Sequence, residues 1–273
     1  MNRSPAVAGI FYESSAAALR KQVEQCLATN ERAESREQFI GAVVPHAGLM
    51  YSGHVAAALY DRLDLPKRLI LLGPNHTGLG SAAAIHREGA WTTPLGSAPI
   101  DALLAQELMA ASPRLENDAR AHAREHSLEV QLPFLQILDP DFSFVPICLR
   151  VPSYDLALEI GEAIATVVSR HAAEGRAVGI LASSDLNHYE NQRITLEKDQ
   201  RAIDRMLALD PRSLWETVLR EDISMCGFIP TTAMLIAAKK LGASRATLVK
   251  HATSGAINGD YNAVVGYAAV IVA

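Results

Sequence analysis

Apolar residues in this chain fall into short unbroken runs, separated by longer stretches in which they recur at three- and four-residue spacing. The runs lie at residues 40–44, 68–72, 142–148, 177–182, 246–251 and 264–272. A segment apolar at successive positions predicts a strand buried on both faces. The spaced pattern between them predicts helices near 16–27, 54–63, 100–111, 125–138, 154–171, 195–209 and 231–241. Strands alternating with helices predict an α/β fold with a mostly parallel central sheet flanked by helices. No repeat of 20–50 residues is present and no Pro/Gly/Ser linker divides the chain, so residues 1–273 are expected to form a single domain. The charged stretch 31–38 (ERAESREQ) predicts an exposed loop after the first helix.

Composition narrows the class. With 49% apolar and 20% charged residues in 273, the chain has enough apolar surface to offset the entropy of ordering. A net charge of −5 argues against a nucleic-acid partner. The most apolar stretch, residues 263–273, falls well short of the ~20 residues that span a bilayer. The N-terminus, MNRSPAVAGIFYESS, has no long apolar core of a signal peptide. No membrane partner and a cytoplasmic location are therefore expected. Three widely spaced cysteines do not make a disulfide framework.

The placement of histidines adds candidate chemistry. Three predicted strands run directly into Pro45-His46-Ala47-Gly48, Pro74-Asn75-His76-Thr77-Gly78 and Ser184-Asp185-Leu186-Asn187-His188. In open α/β sheets, ligands bind outside the carboxyl ends of the strands. If these strands are parallel, His46, His76, Asp185 and His188 face one crevice. Polar residues also cap strand ends for purely local reasons; three in phase favour a site. Cys26 and Cys148 read as small buried hydrophobes. Cys226, in Ser224-Met225-Cys226-Gly227-Phe228 before a predicted helix, sits where a thiolate nucleophile or soft metal ligand is favoured.

Two motifs compete with this reading. Gly78-Leu79-Gly80-Ser81-Ala82-Ala83 matches a dinucleotide fingerprint but lacks the strand–turn–helix context that fingerprint requires. His122-Ala123-Arg124-Glu125-His126 matches H-x-x-E-H, in which two histidines on one helix face hold zinc and the glutamate acts as base. Residues 118–122 precede the apolar helix, so His122 is expected on a loop. No G-x-S-x-G or Walker segment is present.

With these residues assembled, the chain resembles the Memo family, which includes component B of the AmmeMemoRadiSam system. The resemblance runs from RSPAVAGIFY through VPHAGLMYSGHVAA, LLGPNHTGLG, EHSLEVQLPFLQ, SSDLNHY and MCGFIPTTAML to VVGYAAVIV. One departure is Glu13, where the family commonly has proline; it touches no proposed ligand. The family is similar in fold to class III extradiol dioxygenases. The resemblance implies a pocket in which His46, His76 and Cys226 bind one transition metal, iron or copper ahead of zinc. Cysteine in place of the dioxygenase carboxylate makes that site softer and itself oxidisable.

The implied function is a metal-dependent oxidoreductase. In it His188 moves protons, Asp185 orients His188 or a water, and His126 binds polar groups of the substrate. The alternatives are a peptide-binding module with a vestigial metal pocket and a zinc peptidase built on His122 and His126. The substrate, a small molecule or peptide, is not specified by any motif. Tyr51, Tyr189 and the MCGF loop are expected to flank an open pocket. The family also implies a functional link to a radical-SAM enzyme and an Amme-type protein.

Overall fold

The computed structural model describes residues 2–29 and 35–273. Part of the expected loop at 31–38, residues 31–34, lies outside the described residues. The strands are β1 (Gly41–Val44), β2 (Arg68–Pro74), β3 (Ala83–Ile85), β4 (Ala90–Thr93), β5 (Gly96–Pro99), β6 (Glu116–Asn117), β7 (Ser143–Leu149), β8 (Val178–Ser183), β9 (His188–Glu190), β10 (Ala246–Thr253) and β11 (Val264–Val272). The helices are α1 (Ala16–Ala28), α2 (Leu49–Tyr60), α3 (Ala102–Ala111), α4 (Leu132–Leu138), α5 (Tyr154–Ala173), α6 (Gln192–Leu207), α7 (Pro211–Arg220), α8 (Phe228–Lys240) and α9 (Gly255–Asn258). Among the described residues, no helix is long and apolar enough to cross a membrane.

The main sheet runs in the order β10-β11-β1-β8-β2-β7-β3-β6. Its centre, β1-β8-β2-β7, is parallel as the unbroken apolar runs predicted. Its flanks are mixed: β11 lies antiparallel to both β1 and β10, and β3 lies antiparallel to β7. The reason lies in the connections. A parallel crossover needs about a dozen residues, usually helical, and only the segment 254–263 separates β10 from β11. The central strands, by contrast, are joined through α2, through α3 and α4, and through α5.

Each face of the sheet is covered. α3, α5, α6, α7 and α8 pack one core with Ile70, Leu72, Val145, Ile147 and Ile180. α1, α2, α4 and the β4–β5 hairpin pack the other with Val44, Leu69, Leu71, Phe144 and Leu181. Local signals set the helix starts: Ser15, Asp101, Ser153, Asn191 and Asp210 each accept a backbone N–H of the first turn. α8 is buried through nearly its whole length, which accounts for its weak polar face. Its neighbour α5 approaches so closely that a Cβ on Gly161 would lie 2.6 Å from the Ala233 carbonyl oxygen.

Some elements differ from the sequence pattern. The predicted helix at 125–138 is a tight turn at Glu129–Gln131 leading into α4, and residues 125–128 are non-helical. α2 begins at Leu49, one turn earlier than its spacing suggested. Strands β3, β4, β5, β6 and β9 are two to four residues long, too short for alternation to register.

The N-terminal segment is tied down by one buried carboxylate. Glu129 accepts hydrogen bonds from Ala6 N, Val7 N and the Tyr12 hydroxyl, and pairs with Arg3 at 2.5 Å. The Arg3 guanidinium also donates to the carbonyls of His122 and Glu125 and lies 4.1 Å from the Trp91 ring centroid. Removing one partner of a buried ion pair leaves an uncompensated charge. Glu129→Ala is therefore expected to lower stability by about 3–5 kcal/mol, measured by urea unfolding.

Candidate metal centre

Sheet order brings the histidine-bearing turns together. β8 lies between β1 and β2, so three adjacent strands deliver Pro45-His46, Ser184-Asp185 and Asn75-His76 at one end. Strands two apart are separated by about 10 Å, and the side chains close that gap. The His46 and His76 ring centroids are 5.3 Å apart, and His126 joins them at 5.4 Å and 4.5 Å respectively. One ligand atom from each of His46, His76 and His126 lies within 4.8 Å of the others.

Hydrogen bonds orient two of the three rings. The Ser183 hydroxyl donates to Ser127 O at 2.7 Å, so toward His46 Nδ1, 2.9 Å away, it acts as acceptor. The same hydroxyl oxygen accepts from Gln131 Nε2, whose amide also donates to Pro45 O. His46 thus carries its proton on Nδ1, which leaves Nε2 as an acceptor facing Cys226 Sγ. His76 Nδ1 donates to Glu125 Oε1 at 2.9 Å, so in the neutral tautomer Nε2 is the nitrogen available to a ligand. Glu125 is fully buried and accepts three further backbone donors, the N–H groups of His76, His126 and Ser127. Burial opposes its charge, but the His76 hydrogen bond and these amides prevail and hold its pKa down at about 2. Burial keeps His46 neutral far below the usual imidazole range and lowers His126 to about 4. Neutral imidazoles with a free nitrogen are ready-made metal ligands.

Cys226 falls outside that mutually close set, yet its Sγ lies 3.3 Å from His46 Nε2 and 3.7 Å from Asp185 O. Gly227 allows this position: a Cβ there would sit 2.4 Å from Ser183 O. A thiolate favoured by the start of α8 is not what the free protein holds. Burial, reinforced by the Asp185 carboxylate, pushes the thiol pKa well up.

The remaining candidates divide. Asp185 lines the cavity, and its Oδ1 accepts from His46 N and Ala47 N, so it fixes the PHAG turn. His188 lines the pocket with Nδ1 held at 2.9 Å by Ser224 O. Ser224 is held by Asn187 Oδ1, and Asn187 N donates to the buried Asp199. His126, expected beside the substrate, lines the cavity and its ring also joins the imidazole cluster.

His122 departs altogether. It is fully buried, with Nδ1 3.4 Å from Cys148 Sγ and its ring against His86 and Trp91. The non-helical chain at 122–126 points the two histidines of H-x-x-E-H into different surroundings, and Glu125 is engaged with His76. The peptidase arrangement is absent.

The cluster lies in a cavity of about 730 Å³, whose lining includes the expected Tyr51, Tyr189 and Cys226. Sequence reasoning missed Phe11, Ser254, Asn258 and Tyr267 on its walls. Ser254 and Asn258 lie on a short connection, and Tyr267 sits in the apolar β11 run. The polar residues in those segments were the available signal.

The family model for Memo-like proteins matches residues 3–271. The chain belongs to the Memo family. It is 45% identical over 282 residues to a MEMO1 family protein of Methanopyrus kandleri, covering 99% of each chain. It is 44% identical over 272 residues to one from Methanosarcina mazei, covering 99% of this chain and 98% of that one. An uncharacterized protein from Escherichia coli K12 of known crystal structure shares the fold, with a TM-score of 0.54, 14% identity, and coverage of 85% of this chain and 99% of the other. Within this Memo-family fold, His122 supplies a measurable signature. Burial lowers its pKa to about 3, against ~6.5 in the unfolded chain. Above pH 6.5 it is neutral in both states and contributes nothing to the pH dependence. Below that, the unfolded chain takes up a proton that the folded protein refuses until about pH 3, so stability falls as pH falls. His122→Phe should remove about 2 kcal/mol of the stability loss between pH 7 and pH 5, read from urea midpoints.

Proposed function

We propose that this Memo-family protein binds one transition metal ion through His46, His76 and His126, with Cys226 as a further ligand, and acts as an oxidoreductase. The reading puts iron or copper ahead of zinc on the family resemblance; imidazole and thiolate donors themselves suit all three metals. It extends to a reaction related to that of class III extradiol dioxygenases, on a substrate of the 730 Å³ pocket. The observation that carries it is the pair of committed Nδ1 atoms on His46 and His76, which leaves each Nε2 as the ligating nitrogen, that of His46 facing Cys226 Sγ at 3.3 Å. Two imidazoles oriented in this way, beside a third within 4.8 Å, fit a metal ion's donor requirements.

A bound metal of this kind supplies Lewis acidity and a one-electron couple. The chain supplies the rest. Glu125 and Ser183 hold the imidazoles in the ligating tautomer. Cys226, whose thiol burial keeps protonated, would have to give up that proton to a pocket base or to solvent in order to serve as a ligand. His188, fixed through Nδ1 by Ser224 O, leaves Nε2 as the atom that exchanges a proton with a pocket ligand. Asp185 keeps the His46 backbone in place.

Elemental analysis of protein purified without a metal-affinity tag is the test. Wild type should retain a transition metal and the His46→Ala, His76→Ala double variant should lose it; normal content in the double variant would overturn the reading. Glu125→Gln should weaken metal affinity by about 10–100-fold, measured by chelator competition. Oxygen uptake with phenolic reductants, compared between wild type and His188→Ala, then tests the oxidoreductase assignment.

A further inference from the structure

Tyr189 occupies an unusual place at the pocket mouth. β9 pairs antiparallel with β11, with Val265 opposite His188 and Val264 opposite Glu190. Tyr189 is thus the extra residue of a β-bulge, and its φ of 62° lies in the left-handed region. A bulky residue there is a steric outlier. The chain on both sides is pinned. His188 N donates to Ser224 Oγ, Asn187 N donates to Asp199, and Asn187 Nδ2 donates to Glu190. Lys198 also pairs with Glu190, at 2.7 Å. The backbone cannot relax without breaking these bonds, so the strained conformation is held by its surroundings.

The consequence is an aromatic side chain that is 78% exposed and still lines the cavity. A β-bulge beside a site re-aims a side chain, and retained backbone strain clusters at ligand-binding positions. The chemistry of the wall indicates what that ring meets. Among the lining residues there is no lysine or arginine, and the one carboxylate, Asp185, already accepts two backbone N–H groups. The ring next to Tyr189 is that of His188, with centroids 5.6 Å apart, and the cavity wall also includes Phe11, Tyr51, Tyr267 and Val265.

We infer that Tyr189 is a stacking platform that recognises a planar, uncharged ring on the pocket's ligand. This rests on the reading of the cavity as the working site of the proposed metal centre, but ring recognition itself does not require the metal. Stacking on a ring face distinguishes a flat conjugated ligand from its puckered saturated counterpart, which apolar burial alone does not.

The probes are 2-naphthol and decahydro-2-naphthol, which share a skeleton and a hydroxyl. Their affinities are measured by ligand-observed NMR titration on metal-depleted and metal-loaded full-length protein. Wild type and Tyr189→Phe should prefer the planar probe by about 3- to 10-fold. Tyr189→Asn should lose that preference, and because asparagine tolerates the left-handed region its thermal midpoint should not fall. A planar preference retained in Tyr189→Asn, or absent in wild type, overturns the inference. Elemental analysis separates the two readings. Ring preference in a protein that never holds metal would remove the metal centre and leave the stacking platform, and metal retention without ring preference would do the reverse.

Discussion

The Glu125 carboxylate is the interaction on which the site depends. A carboxylate withdrawn from water is tolerated only when donors surround it, and Glu125 has the His76 ring and three backbone amides at 2.5–2.9 Å. Those bonds set the direction of the His76 ring, the path of the chain to His126, and the approach of both to the end of β2. The loop bearing Glu125 is fixed from behind by Arg3, which donates to the carbonyls of residues 122 and 125 while paired with Glu129. The first residues of the chain thereby reach the histidine cluster through the buried Arg3–Glu129 pair.

A second support comes from the sheet. Ser183, the last residue of β8, bridges His46, Gln131 and Ser127 with one hydroxyl. That hydroxyl links the ends of β1 and β8 to the segment following Glu125. Tyr60 from α2 completes the chain by donating to Gln131 Oε1. Buried polar networks are costly when incomplete and rigid when satisfied. Here each member has its partners, which gives the His46 ring a defined orientation, as Glu125 does for the His76 ring.

Hydrophobic patterning made the architecture readable. Strands β1, β2, β7, β8 and β11 are apolar at almost every position because both sheet faces are covered, and that condition shows directly in the sequence. Polar residues just past β1, β2 and β8 marked the crevice for the same reason: a chain leaving a buried sheet changes composition abruptly. The mixed edges were less legible, since the direction of β11 follows from a short connection and not from its own residues. The H-x-x-E-H segment could be discounted from the sequence, because spacing defines a shared face only on a helix, and residues 122–126 are non-helical, with His122 off the helix as expected.

By itself the sequence determined the α/β class, the family, and the gathering of His46, His76, Asp185, His188 and Cys226 around one cavity. These follow from local composition and from motifs contiguous in the chain. Only the tertiary structure decided that His126 joins His46 and His76, that Glu125 serves as an orienting partner, that Asp185 braces a backbone turn, and that His122 turns away into the core. Each of those roles is set by hydrogen bonds between residues far apart in sequence. Which partner a buried carboxylate or imidazole finds depends on the packing that brings donor and acceptor within 3 Å, and no pattern along a single chain encodes that distance.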